Sequence, residues 1–154
     1  MNRNYFVQTT TSIWPGMYAY NNQVICKDLK GDETLLVGLV NSKTDQPLTE
    51  IKIDNKWIAL LTHDKQSYNK QWWLGLALVL PKENYVGFIE APKAGSLSNT
   101  YLGKLKIENA KPVNYFAIAA WELSDERFKD PVYFKNYVTD FVNQQTAEVK
   151  ISIH

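Results

Sequence analysis

From Tyr5 to Trp121 the chain is a succession of short segments rich in β-branched and aromatic residues, each cut off by turn residues. A helical period appears only once, after residue 125. That contrast restricts the fold more than any other feature. "YFVQTTTS", "TLLVGLVNS" and "YVGFIEAP" have strand composition. "WPGMY", "LKGDE" and "SKTDQP" carry the Pro, Gly and Asp of turns. Ile51 and Ile53 alternate with Lys52 and Asp54, the pattern of a half-buried strand, and "DNK" at 54–56 predicts a hairpin joining 50–53 to 56–62. Gly38 inside its strand predicts a bulge or a close crossing. "VNYFAIAAWEL" is almost wholly apolar, which predicts a central strand covered on both faces.

The period then changes. Phe134, Tyr137, Val138, Phe141 and Val142 follow i, i+3, i+4, i+7, i+8, the apolar stripe of an amphipathic helix. Asp130 followed by Pro131 supplies an N-cap and a first helical residue. Val149, Ile151 and Ile153 alternate with Lys150 and Ser152, which predicts a closing strand. The expected fold is mainly β: an antiparallel β-sandwich of roughly eight to ten strands, spaced by turns as in sandwiches, with one C-terminal helix and the closing strand. Residues 1–154 read as a single β-sandwich domain, long enough to bury roughly 68–70% of the unfolded surface in one core.

Bulk properties exclude several functions. The net charge is +1 and the lysines are scattered, so no clustered basic surface for nucleic acid is expected. No apolar run approaches the ~20 residues of a membrane-spanning helix. Cys26, the one cysteine, sits in the apolar "QVICKD" and reads as a small buried hydrophobe. One internal histidine and one cysteine cannot cage zinc, no calcium-loop pattern appears, and no cofactor is implied.

Candidate ligand-binding residues gather around "LTHDKQSYNKQWW". Trp72 and Trp73 are adjacent, so in a strand they point to opposite faces. Counting by twos puts Trp72 with Leu74, Leu76, Leu78 and Leu80, and Trp73 with the small Gly75 and Ala77. Those small residues leave room for the helix carrying Phe134. Trp73 is therefore expected to be buried beneath it, and Trp72, beside a polar loop, to be the more exposed. An outward ring suits stacking on a sugar; the alternative is that both rings are covered. His63 with Asp64 in a polar loop has the composition for general acid–base work, or is an ordinary loop histidine. Gln66 and Tyr68 lie in the same loop. Glu122 follows Trp121 at the end of an apolar strand, where functional groups often sit. A glycosidase-type pair among Glu90, Glu122, Asp64 and Asp125 is not selected by spacing. Ser67 is not in a nucleophile elbow.

"LTHDKQSYNKQWWLGLALVLPKENY" and "NTYLGKLKIENAKPVNYFAIAAWELSDERFKDPVYFKNYV" together resemble an uncharacterised bacterial family, a domain of unknown function whose members occur beside or fused to unsaturated glucuronyl hydrolases. The matching features are Gln66 and Ser67 in the polar loop, the "LGLALVLP" strand, Ala120-Trp121, and the helix with Phe134 and Tyr137. The resemblance covers residues 34–154 and implies the C-terminal part of a longer domain, related in fold to the large β-sandwiches of carbohydrate-active enzymes. It implies no catalytic residues. The function expected from it is a carbohydrate-associated module that binds, or assists the breakdown of, acidic, uronic-acid-containing polysaccharides. An enzyme acting on uronide oligosaccharides and a structural domain without a ligand are the alternatives. The candidate binding residues are His63, Asp64, Gln66, Tyr68, Trp72, Trp121 and Glu122. The expected partner is an oligosaccharide, with neither nucleic acid nor membrane. The expected setting is periplasmic or extracellular within a longer precursor, with the cytoplasm as the alternative.

Overall fold

The computed structural model of the protein describes residues 3–31 and 33–147. Among them lie nine strands: β1 (Phe6–Ile13), β2 (Ala19–Lys27), β3 (Thr34–Val40), β4 (Thr49–Ile53), β5 (Trp57–Asp64), β6 (Leu74–Pro81), β7 (Tyr85–Glu90), β8 (Thr100–Lys106) and β9 (Pro112–Trp121). One helix follows, α1 (Pro131–Thr146), preceded by a 3-10 turn at Glu126–Lys129. All pairings are antiparallel, as expected. Six strands form one sheet in the order β1-β2-β9-β6-β5-β4, and three form a second in the order β3-β8-β7. The closing strand expected at 149–153 lies outside the described residues.

Three layers result: helix, large sheet, small sheet. Strand alternation divides the apolar residues of the large sheet between two cores. Ala59, Leu61, Ala77, Val79, Phe116, Ile118 and Ala120 pack with Phe134, Val138, Phe141 and Val142 of α1. Ile58, Leu60, Leu78, Leu80 and Val113 pack with Val37, Leu39 and Leu105 of the small sheet. β5 and β6 are covered on both faces, which is why "WIALL" and "LGLALVL" are apolar without a break.

β9 departs from the expectation. It is central, between β2 and β6, and on its helix side Phe116, Ile118 and Ala120 are buried. On its other face Val113 is covered, Tyr115 and Ala117 are half-buried, and Ala119 and Trp121 are exposed. The three-stranded sheet is too narrow to cover a six-stranded one, and it leaves this end open.

The local signals for the hairpin and the helix hold. Ile53 pairs with Trp57 across a turn in which Asp54 has φ 54°, so the "DNK" hairpin is present. The Asp130 carboxylate accepts from the Val132 N–H at 2.8 Å, capping α1, and Pro131 opens the helix. The helix is also tied to the segment before β2, where the Tyr18 N–H donates to the Tyr137 hydroxyl at 3.0 Å. Cys26 is buried, and burial pushes its thiol pKa up. Gly38 marks neither a bulge nor a crossing: it pairs in register with Leu102, and a Cβ there would lie 2.9 Å from the methyl of Thr100 on the same neighbouring strand.

The seating of α1 depends on a tighter contact. A Cβ on Gly75 would meet the Phe134 ring at 2.6 Å, and Phe134 has no exposed surface. The ring lies directly on the backbone of β6. Phe134→Ala is expected to destabilise the protein by ~3–5 kcal/mol, and Gly75→Ala by ~1–3 kcal/mol through overpacking. In denaturant titrations the double variant is expected to lose less than the sum, because removing the ring opens the space the new methyl needs. Strict additivity would mean that the contact does not exist.

Candidate functional site

β5, β6 and β9 end together at one end of the large sheet, so all seven residues singled out in the sequence come to that end. They do not form one cluster. They divide among a buried polar clasp, the helix side of the sheet and its open face.

The clasp holds Gln66 and Glu122, which are 6% exposed each. The Gln66 amide donates to the Leu74 carbonyl at 2.7 Å and to the Thr62 hydroxyl at 3.0 Å. The Glu122 carboxylate accepts from the Trp73 N–H at 2.9 Å, while the Glu122 N–H donates to the Trp73 carbonyl at 3.1 Å. Lys129 stands 3.5 Å from its other oxygen. Both side chains therefore satisfy backbone groups where the sheet ladder stops, which a buried end requires. Gln66→Ala is expected to cost about 1–3 kcal/mol by leaving the half-buried Leu74 carbonyl and the buried Thr62 hydroxyl short of a partner, read as a fall in urea midpoint at constant slope.

His63 points to the helix side. Its Nε2 lies 2.7 Å from the Phe128 carbonyl, which can only accept, so this nitrogen carries the proton. The imidazole stacks on Trp73 with centroids 5.2 Å apart and on Phe134 at 5.8 Å. Lys65 lies over the Trp73 ring at 5.9 Å. Trp73 is thus half-buried beside the helix, and Trp72 is the more exposed of the pair at 39%. His63, Trp73, Leu61, Val132 and Lys135 border an open groove of about 450 Å³ between α1 and β4.

Asp64 does not pair with His63. Adjacent strand residues face opposite sides, and Asp64 is directed to the 44–46 turn. Its carboxylate accepts from the Thr44 hydroxyl at 3.1 Å, the Asp45 N–H at 3.0 Å and the Lys65 N–H at 2.7 Å. Partial burial alone would raise its pKa, but these hydrogen bonds, helped by the charge of Lys70, outweigh burial and hold it below the ordinary 3.8. A depressed folded-state pKa stabilises above the unfolded value, and that contribution is lost as pH falls through the folded value. The 44–46 turn is therefore expected to loosen only below about pH 3.8, seen as faster exchange of the Asp45 amide, and Asp64→Asn to abolish that pH dependence.

The open face carries the exposed rings. Trp121 is 39% exposed and sits opposite Leu74, and Trp72, in the bend before β6, is exposed to the same degree. Tyr68 lies in a 3-10 turn, Tyr68–Lys70, at the loop tip and is 80% exposed. Ser67 holds the loop's return: its hydroxyl accepts from the Trp72 N–H at 3.1 Å and donates to the Trp72 carbonyl at 3.0 Å. Lys70 pairs with Asp45 at 2.6 Å near the same turn. Glu90 bonds Asn41, and Asp125 pairs with Arg127 after capping the 3-10 turn, so neither joins Glu122 or Asp64 in a carboxylate pair. Among the described residues, no group of three or more His, Cys, Asp or Glu is placed to hold a metal ion, and no helix is long and apolar enough to cross a membrane.

Fold and site together define a layered antiparallel β-protein with a helix-backed sheet and an aromatic, loop-bordered end. The chain belongs to the family described as a domain of unknown function, DUF4861, whose model matches residues 1–151. That match extends through β1 and β2, beyond the 34–154 span of the resemblance in the sequence. No curated protein and no solved structure matches the chain.

Proposed function

We propose that this is a carbohydrate-associated module, binding acidic polysaccharide chains or assisting their breakdown, in company with enzymes such as unsaturated glucuronyl hydrolases. The observation that carries the reading is the exposure of Trp72, Trp121 and Tyr68 at one end of the large sheet. Exposed large rings gathered in one place mark a surface that a partner covers. Flat sugar rings, with apolar C–H faces and hydroxyl rims, match them, and Lys70, paired with Asp45 in the same 3-10 turn as Tyr68, brings positive charge to this end for a uronate carboxylate. Trp73 contributes less, because His63 and Lys65 already occupy its ring. The module would act outside the cytoplasm, where such polysaccharides are met.

The reading as a uronide-processing enzyme has weaker support. Its proposed base, His63, is engaged by the Phe128 carbonyl and separated from Asp64.

Calorimetric titration with uronic-acid oligosaccharides is expected to give binding that Trp72→Ala and Trp121→Ala each weaken by about tenfold, equivalent to ~1.4 kcal/mol, with unchanged circular dichroism. Tyr68→Ala should weaken it less, since a loop-tip ring must be ordered on binding. A glycan array with no bound sugar, acidic or neutral, would remove this proposal.

A further inference from the structure

β1 is the outermost strand of the large sheet, and every one of its residues is exposed. Among the described residues neither α1 nor the small sheet overhangs it, and the side chains on both of its faces are exposed. Among the described residues only β2 pairs with it. Open edges are ordinarily guarded by charge, bulges or burial. The other sheet edges have such guards: β4 carries Glu50 and Lys52, β7 is irregular between Tyr85 and Phe88 with Gly87 at φ 113°, and β3 buries Val37 and Leu39. β1, "FVQTTTSI", has no charged residue, no proline and no buried side chain.

The sequence of this edge also reads the same in both directions, by chemical type. About Thr10 it runs Thr9 and Thr11, then Gln8 and Ser12, Val7 and Ile13, Phe6 and Trp14. A two-fold axis through Thr10, perpendicular to the sheet, would lay two β1 strands antiparallel. Thr10 would then face its own copy, and each other pair would be like with like. Paired residues keep the same parity, so side chains that meet lie on the same face. Phe6 (49% exposed), Val7 (56%), Ile13 (71%) and Trp14 (41%) would meet across the junction, two apolar pairs at each end. A net charge of +1 sets up little repulsion between copies.

We infer that β1 is a self-association edge, through which two copies of the chain join their large sheets in an isologous antiparallel pair centred on Thr10. The interface is self-complementary, as two-fold association demands. It is independent of the sugar-binding reading, which rests on Trp72, Trp121 and Tyr68, with β2 standing between β9 and β1.

Sedimentation velocity over a concentration series tests it. The protein is expected to sediment as a dimer, twice 17.7 kDa. Thr10→Lys and Thr10→Glu each place like charges face to face and are expected to raise the dissociation constant at least about tenfold. An equimolar mixture of the two variants should regain the dimer, because Lys then faces Glu. In the unaltered protein, amide exchange in β1 should slow as concentration rises. A monomer at every concentration, with β1 exchange independent of concentration, overturns the inference. So does a dimer that survives Thr10→Lys, or a mixture that stays monomeric when each variant is folded by circular dichroism.

Discussion

The Phe134 ring lying on the bare backbone of Gly75 is the contact on which the layered arrangement depends. It brings α1 against the centre of the large sheet. With the helix there, Ala59, Leu61, Ala77 and Val79 of β5 and β6 are buried on one side, and Ile58, Leu60, Leu78 and Leu80 are left to a second sheet. Two thin cores then share one sheet as a common wall. Each is modest, but β5 and β6 contribute to both, so a disturbance in either is felt on the other side through close packing.

Seating the helix also organises the candidate site. The chain leaves β9 at Trp121, passes through the 3-10 turn and enters α1 at Pro131, and this connection carries the Phe128 carbonyl to His63 and Lys129 to Glu122. The sheet end is thereby closed on the helix side by polar groups with partners. On the other side the narrow small sheet stops short and leaves Trp121 exposed, and the loop before β6 adds the exposed Trp72. The aromatic platform and the buried clasp have the same origin: the large sheet is covered fully by neither neighbour.

Much of this was legible in local patterns. Alternation at Ile51–Ile53 with a polar turn marks a hairpin because strand faces and turn chemistry are both short-range. Asp130-Pro131 before an apolar stripe marks a helix start for the same reason, since the cap is made within two residues. The greater exposure of Trp72 was readable from the small residues at 75 and 77, which call for something bulky across them. Coverage of β9 was not readable, because it depends on how many strands the second sheet has. Glu122 and Gln66 looked like candidates for chemistry on composition alone. The work of Glu122 as a cap on the sheet end becomes visible only when residues 49 positions apart are brought together, as with Trp73, and that of Gln66 only when the loop turns its amide back onto Thr62 and Leu74.

The sequence by itself determined the class of fold, the place of the helix and which residues of each strand share a face, because these follow from periodicity, and periodicity is a property of neighbours along the chain. Only the tertiary structure decided which of those faces is covered and that, among the described residues, β1 is paired on one side alone. Those outcomes depend on strand order and on the relative widths of layers, and no local pattern encodes either.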